Sequence, residues 1–177
     1  GVYQWAKTFG SAERDDVMDV AHDDNGNIYL TGSFQNQVVL NKNQSNSITL
    51  TSSSADRDII VAKYNSLGTA VWAKNAGGTA STDWDDGTSI AASPAGEVFV
   101  TGNIVGTALF DNISLEGGNS LANDPMFIAK YDTAGNVIWA EQPISGEGSV
   151  NAQGMGLSYA DGYCYLKFHN FSSGTEL

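Results

Sequence analysis

Apolar and polar residues alternate along much of this chain, in short runs bounded by Gly, Asn, Asp and Pro. The alternation is clearest in residues 27–34 (NIYLTGSF) and 97–104 (EVFVTGNI), where aromatic and β-branched residues dominate. A period of two predicts half-buried β-strands. Each run follows a second strand-like segment, DVMDVAHD at 16–23 or DGTSIAAS at 86–93, and the tripeptides DNG and PAG separate them. The pattern therefore predicts pairs of strands joined by tight turns.

The strand pattern is repeated. Residues 61–74 read VAKYNSLGTAVWAK and residues 128–141 read IAKYDTAGNVIWAE, while Trp5, Trp72 and Trp139 recur every 67 residues. In both phrases an Asn or Asp precedes a Gly by three positions, which is type I turn chemistry and predicts a β-hairpin. Self-similarity at a fixed period is the mark of a repeat architecture.

Four strands per repeat, joined by short turns, are typical of a β-propeller blade rather than of a helical solenoid. Stacked blades cover the apolar faces that a lone sheet would expose. We assign residues 1–9 to the last strand of a preceding blade, 15–75 and 86–142 to two blades, and 152–170 to half a blade. The prediction is an all-β fold of four-stranded antiparallel blades, about two and a half of a larger propeller. Seven blades of this period would take about 470 residues.

Several linked motifs carry a family resemblance. In the first copy they are Trp5-Ala6-Lys7, Asp15-Asp16, GNIYLTG at 26–32 and VAKY at 61–64. Together they resemble the SBBP-type bacterial β-propeller repeat over nearly all of residues 3–142. The third copy departs from the pattern, because Lys167-Phe168 replaces the Thr-Gly pair.

The resemblance implies an exported or cell-surface protein that binds partners or acts as a scaffold. Many similar proteins carry a C-terminal sorting tail of the type IX secretion kind, which this sequence does not contain. The family is not defined by a catalytic apparatus, so the resemblance implies a fold more firmly than a function.

Charge and composition narrow the range of partners. The chain has 8 basic and 20 acidic residues among 177, a net charge of −12. Nucleic acids and anionic lipid surfaces are recognised through Lys and Arg, so we expect neither nucleic-acid binding nor docking on anionic lipid. No apolar run approaches the roughly twenty residues that span a bilayer, so we expect no membrane insertion. We expect any export signal to have been removed or to lie outside this sequence. One cysteine excludes an internal disulfide framework, and no phosphate loop or metal motif implies a cofactor.

Paired aspartates precede the first strand of each repeat, at Asp15-Asp16 and Asp85-Asp86. An Asp at this position can accept backbone N–H bonds and fix the turn that enters a blade. The alternative is a calcium site through residues 83–87, although Trp84 and the adjacent acidic pair break the alternating ligand pattern of an EF-hand loop. Recurrence in each repeat favours the structural interpretation.

Trp84 is the tryptophan without a repeated counterpart, since Arg14 occupies the equivalent position in the first copy. Its loop is three residues longer than the first one and rich in Asp. An aromatic side chain there could stack on a sugar ring or dock a protein partner. The alternative is that Trp84 folds back over its own blade. We take Trp84, Asp83 and Asp85 as the candidate ligand-binding residues.

These observations favour a non-enzymatic module that binds a glycan or a protein, or that serves as a scaffold. The rest of the propeller, or a partner chain, is expected to cover the open blade faces. One alternative is the propeller portion of a secreted carbohydrate-active enzyme, for which the unrepeated carboxylates are Glu97, Glu116, Glu141 and Glu147. Another is a component of a type IX secretion or surface assembly. His22 and His169 have no partners at a recurring spacing, so we expect no catalytic triad.

Overall fold

The computed structural model describes residues 4–53, 57–78, 84–117, 126–142 and 152–170, with side chains given for 154–168 of the last range. Within these residues all regular structure is β and there is no helix, which confirms the predicted fold class. The strands are β1 (Asp16–His22), β2 (Ile28–Gln35), β3 (Gln37–Leu40), β4 (Ile48–Thr51), β5 (Arg57–Tyr64), β6 (Ala70–Ala76), β7 (Asp86–Ala92), β8 (Val98–Asn103), β9 (Thr107–Phe110), β10 (Ile113–Glu116), β11 (Met126–Tyr131), β12 (Val137–Glu141), β13 (Ala152–Ala160) and β14 (Tyr163–Asn170).

Two four-stranded antiparallel sheets have the same strand order. The first runs β1-β2-β5-β6 and the second β7-β8-β11-β12, while β13 and β14 form a separate antiparallel pair. Strand β7 contacts both β1 and β13, so the first strands of the successive sheets lie side by side. This arrangement is that of propeller blades, whose first strands line a common axis.

Two further hairpins are inserted between the second and third strands of the sheets. They are β3–β4 and β9–β10, and the sequence pattern did not predict them. Val38, Leu40 and Leu50 of the first hairpin are buried against the outer face of β2 and β5. Each strand has only four residues, which is too short for alternation to stand out from the surrounding Ser, Thr and Asn.

The central strands are buried on both faces, which corrects the expectation of half-buried strands. All six residues of β8 are buried, and Thr31 in β2 has no exposed surface although it is polar. Its hydroxyl donates a hydrogen bond of 3.0 Å to the carbonyl of Ile60. The main apolar cluster lies between the two sheets, so a face that would meet solvent in a single sheet is covered by the next blade.

One type of turn occurs four times in the part of the chain that the structure describes. The carbonyl of the residue that opens the turn accepts a hydrogen bond from the N–H of the Gly three positions later. The N–H of the same opening residue donates to the carbonyl of the residue that follows this Gly. The opening residues are Asp23, Asn65, Ser93 and Asp132, and the glycines are Gly26, Gly68, Gly96 and Gly135, with φ from +74° to +89°. This left-handed conformation favours Gly, which confirms the turn predicted from the sequence.

The repeated tryptophan locks each hairpin turn to the previous blade. Trp72 Nε1 donates a 3.1 Å hydrogen bond to the carbonyl of Thr133, and a Cβ on Gly135 would lie 2.7 Å from the indole ring. Trp5 makes the same contacts with Ser66 and Gly68. The repeated fourteen-residue segment is therefore a β-hairpin. Its turn contacts the tryptophan of the previous repeat, and its second strand carries the tryptophan of its own repeat.

Candidate functional site

The first aspartate of each pair tethers the loop that enters its blade. Asp85 has no exposed surface, and its carboxylate accepts hydrogen bonds from the backbone N–H of Gly78 (3.1 Å) and Val105 (2.8 Å). Asp15, at the equivalent position, accepts from the N–H of Gln35 at 3.1 Å and from the hydroxyl of Ser11 at 2.9 Å. This geometry fits the structural interpretation of the aspartate pairs. Asp85 thus holds the segment that carries Trp84, and its own carboxylate faces backbone amides.

Trp84 lies against the preceding blade rather than over its own. It forms a parallel β-bridge with Arg57, the first residue of β5, and the N–H of Asp85 donates to the Arg57 carbonyl at 3.2 Å. The Arg57 guanidinium lies 4.5 Å from the centre of the indole ring, a cation–π contact. Trp84 nevertheless keeps 43% of its surface exposed. The ring is therefore held in place while part of it faces solvent.

A chain of opposite charges runs beneath Trp84. Arg57 is 8% exposed, and its Nη1 lies 3.3 Å from Asp86 Oδ1 and 3.8 Å from Asp16 Oδ2. Arg14 Nε donates a 2.7 Å bond to the same Asp16 oxygen. Asp86 Oδ1 is buried and accepts no hydrogen bond within the part of the chain that the structure describes, so Arg57 is its nearest compensating charge.

A small cavity of about 120 Å³ lies beside these charges, at the junction of the two blades. We call it the junction pocket, and its lining residues are Arg14, Gln35, Arg57 and Trp84. Arg14 and Arg57 are the two arginines of the whole sequence. The equivalent of Arg14 in the second blade is Trp84 and that of Gln35 is Val105, so the pocket is not a feature of every repeat.

A second, wider groove lies at the edge of the first sheet. Its volume is about 470 Å³, and residues 8–11 line it together with Gln37, Val39 and Lys42. Lys42 is its one charged lining residue. The groove also contains an aromatic residue, Phe9, but in the junction pocket a partly exposed tryptophan stacks on a buried arginine, so we take the junction pocket as the candidate site.

The remaining candidates that the structure describes fall outside this pocket. Asp83 lies outside the described residues, so its place in a ligand or calcium site stays a prediction. Glu97 pairs with Lys130 at 2.8 Å, and Glu116 accepts a hydrogen bond from Thr107 at 3.1 Å. His22 is exposed at the end of β1. Among the residues that the structure describes, no three His, Cys, Asp or Glu side chains are grouped closely enough to hold a metal ion.

Sequence reasoning identified Trp84 but missed its partners. Arg57 lies 27 positions earlier in the chain and joins Trp84 only because successive blades stack. One available signal was that an acidic chain contains two arginines and neither is repeated. Arg57 is part of the site because it is buried and stacks on Trp84, and both properties depend on tertiary structure.

Comparisons with known proteins agree with the architecture. The family model described as the SBBP beta-propeller repeat matches residues 4–33, which confirms the resemblance drawn from the motifs. An uncharacterized WD repeat-containing protein of Acanthamoeba polyphaga mimivirus is 28% identical over 82% of this chain. The chain spans 12% of the length of that relative. These matches support a repeat module of the β-propeller type.

A search of the described residues for a long apolar helix able to cross a membrane finds none.

Proposed function

We propose that this propeller segment is a non-enzymatic binding module, exported or displayed on a bacterial cell surface, and that the junction pocket holds its glycan or protein partner. The observation that carries the proposal is Trp84, an unrepeated tryptophan that is 43% exposed yet fixed by a buried arginine. Rigid, partly exposed aromatic residues beside arginines are the typical anchors of binding interfaces. Propeller and WD-repeat domains generally mediate interactions, which supports the same function.

The lining of the pocket favours binding over catalysis. Hydrolysis of a glycoside needs a pair of carboxyl groups that flank the scissile bond. The residues that line the junction pocket are two arginines, a glutamine and a tryptophan. Asp16 and Asp86 lie next to it, but each faces an arginine. No observation in the described residues favours the carbohydrate-active enzyme, so we propose the binding module alone.

The proposal includes a larger propeller in which the end faces of this segment are covered. Val20 on β1 is 60% exposed, whereas its equivalent Ile90 on β7 is 3% exposed. Tyr165 on β14 is 53% exposed, whereas its equivalent Tyr29 is fully buried. Both positions are buried where a neighbouring blade is present. We expect further blades of this repeat, or a partner chain in a surface assembly, to cover these faces.

The function is tested by comparing wild-type protein with the Trp84→Ala variant on a glycan array and a displayed peptide library. We expect the wild type to select a ligand and Trp84→Ala to bind it at least about tenfold more weakly, as is usual for an aromatic anchor. Leu67→Ala is the control, because Leu67 is 79% exposed on a distant hairpin turn. A wild type that selects nothing, or a Trp84→Ala variant with unchanged affinity, would contradict the proposal.

A further inference from the structure

We infer that the junction pocket takes an uncharged, hydroxyl-rich ligand, namely one sugar residue of a neutral glycan. This inference rests on the proposed function and names the ligand class for the same pocket. Four properties of the described residues support it: a fixed aromatic surface, a mixed set of hydrogen-bonding groups, a balanced charge and a small volume.

The aromatic surface is pre-organised. The Arg57 guanidinium stacks on the Trp84 ring at 4.5 Å, and the adjacent Asp85 is tied to two backbone amides. A ring held in this way loses little conformational freedom when a ligand binds. The C–H face of a pyranose is flat and apolar, so it can pack on the part of Trp84 that remains exposed.

The polar groups around Trp84 match hydroxyls, which both donate and accept hydrogen bonds. Arginine side chains only donate, and Arg14 is largely exposed at the rim of the pocket, with 67% of its side chain accessible. The Gln35 amide can donate and accept, and Asp16, whose side chain is 30% exposed, only accepts. A sugar with neighbouring hydroxyls could satisfy all three kinds of group at once.

The charge of the site is balanced, which argues against an ionic ligand. Arg14 and Arg57 are matched by Asp16 and Asp86, so the four formal charges sum to zero. An anion would have to separate Arg14 from Asp16, now 2.7 Å apart, and approach a chain of net charge −12. A cation would meet the guanidinium groups. An uncharged ligand neither breaks the Arg14–Asp16 ion pair nor meets charge repulsion.

The size of the pocket limits how much of a ligand it can hold. Its volume is about 120 Å³, below the roughly 300–1,000 Å³ of sites that enclose a drug-sized molecule. A single ring fits this scale better than a folded peptide segment does. We therefore assign the pocket to one residue of a glycan, with the rest of the chain outside.

The inference is tested by following the tryptophan indole N–H signals in ¹H–¹⁵N NMR spectra. The chain has four tryptophans, and a Trp84→Phe spectrum assigns the signal of Trp84. The probes are the methyl glycosides of glucose, galactose, mannose and N-acetylglucosamine, with glucuronate and an acidic peptide for comparison. We expect at least one neutral glycoside to shift the Trp84 signal selectively, with an affinity that does not fall when the salt concentration rises.

Matched variants separate the ligand class from the function itself. Leu67→Ala, the control outside the pocket, should bind the neutral glycoside as the wild type does, whereas Trp84→Ala should bind it at least about tenfold more weakly. If only glucuronate or the acidic peptide shifts Trp84, the ligand class is wrong and the binding module stands. If a library peptide binds through Trp84 and no sugar does, the neutral-glycan ligand is likewise wrong and the binding module stands. If no probe and no library ligand depends on Trp84, both proposals fail.

Discussion

At the scale of the residue, Asp23 shows how one carboxylate organises a turn. It is 3% exposed and accepts hydrogen bonds from the N–H groups of Asn25 and Asn27, the Asn27 amide and the Tyr29 hydroxyl, at 2.7–2.9 Å. Desolvation by burial raises the pKa of Asp23, but the hydrogen bonds from Asn27, Tyr29 and Asn25 together lower it, and the net shift is downward. The ionised carboxylate is therefore the form that the folded turn stabilises.

Replacement of Asp23 by Ala should lower the free energy of unfolding by about 1–3 kcal/mol, because buried donors would lose their acceptor. Urea denaturation measures the change. Asp24→Ala is the control, since Asp24 is the adjacent exposed residue and should have a much smaller effect. Equal losses of stability in the two variants would mean that the hydrogen bonds to Asp23 contribute nothing specific.

The contribution of Asp23 should also depend on pH. Its pKa in the folded protein is lowered, so its stabilising effect is present above the unfolded pKa of about 3.9 and is lost as the pH falls through the lower folded value. The stability difference between wild type and Asp23→Ala should therefore shrink as the pH is lowered below about 4. If the stability difference between the wild type and Asp23→Ala instead grows as the pH falls, the pKa of Asp23 is not lowered in the folded protein.

At the scale of the element, close contacts at equivalent positions join the first strand of each blade to the first two strands of the blade before it. A Cβ on Gly87 would lie 2.2 Å from the Thr31 hydroxyl, and a Cβ on Gly154 would lie 2.2 Å from that of Thr101. Hydrogen bonds also recur, because Asp19 accepts from the N–H of Ile90 and Ser89 accepts from the N–H of Leu157, both at 3.0 Å. The threonine of the Thr-Gly motif thus packs against a glycine on the first strand of the next blade, while the glycine of the motif lies against the first strand of its own blade.

Gly87→Ala should destabilise the protein by about 1–3 kcal/mol, because the added methyl group overlaps the Thr31 side chain in a packed junction. Gly156→Ala is the matched control, since its nearest neighbour, Lys167 Cβ, would be 4.0 Å away. Thermal unfolding of both variants measures the effect. If Gly156→Ala is the more damaging change, then the junction between blades is not packed as described.

The elements also show which features a sequence can reveal. The turns opened by Asp23, Asn65 and Asp132 were predictable because their determinants are local, an Asx followed by Gly at fixed spacing. The burial of Thr31 was not predictable, because the alternation of residues in one strand does not show whether another sheet covers the polar face of that strand. The Trp84–Arg57 contact was not predictable either, since it depends on how far one blade rotates against the next.

At the scale of the whole molecule, the chain is a stack of propeller blades that bury one another. Two groups of exposed apolar residues lie at the ends of the stack, Val17, Met18 and Val20 on β1 and Tyr163, Tyr165 and Phe168 on β14. Leu67, Val71, Leu109 and Ile138 are exposed elsewhere. Equivalent positions at the inner junctions are buried, as for Ile90 and Tyr29. Exposed apolar patches of this kind normally mark surfaces that are covered in the native assembly.

The most direct test of this account is thiol labelling of the natural polypeptide at Val20. Cys164, the one cysteine of this sequence, is replaced by Ser together with any cysteine elsewhere in the polypeptide, and single cysteines are introduced as Val20→Cys, Ile90→Cys and Leu67→Cys. The reaction rate with a maleimide reports how accessible each position is. We predict that Val20→Cys reacts as slowly as Ile90→Cys, since another blade or a partner chain covers it. A rate equal to that of the exposed Leu67→Cys would contradict the covered propeller.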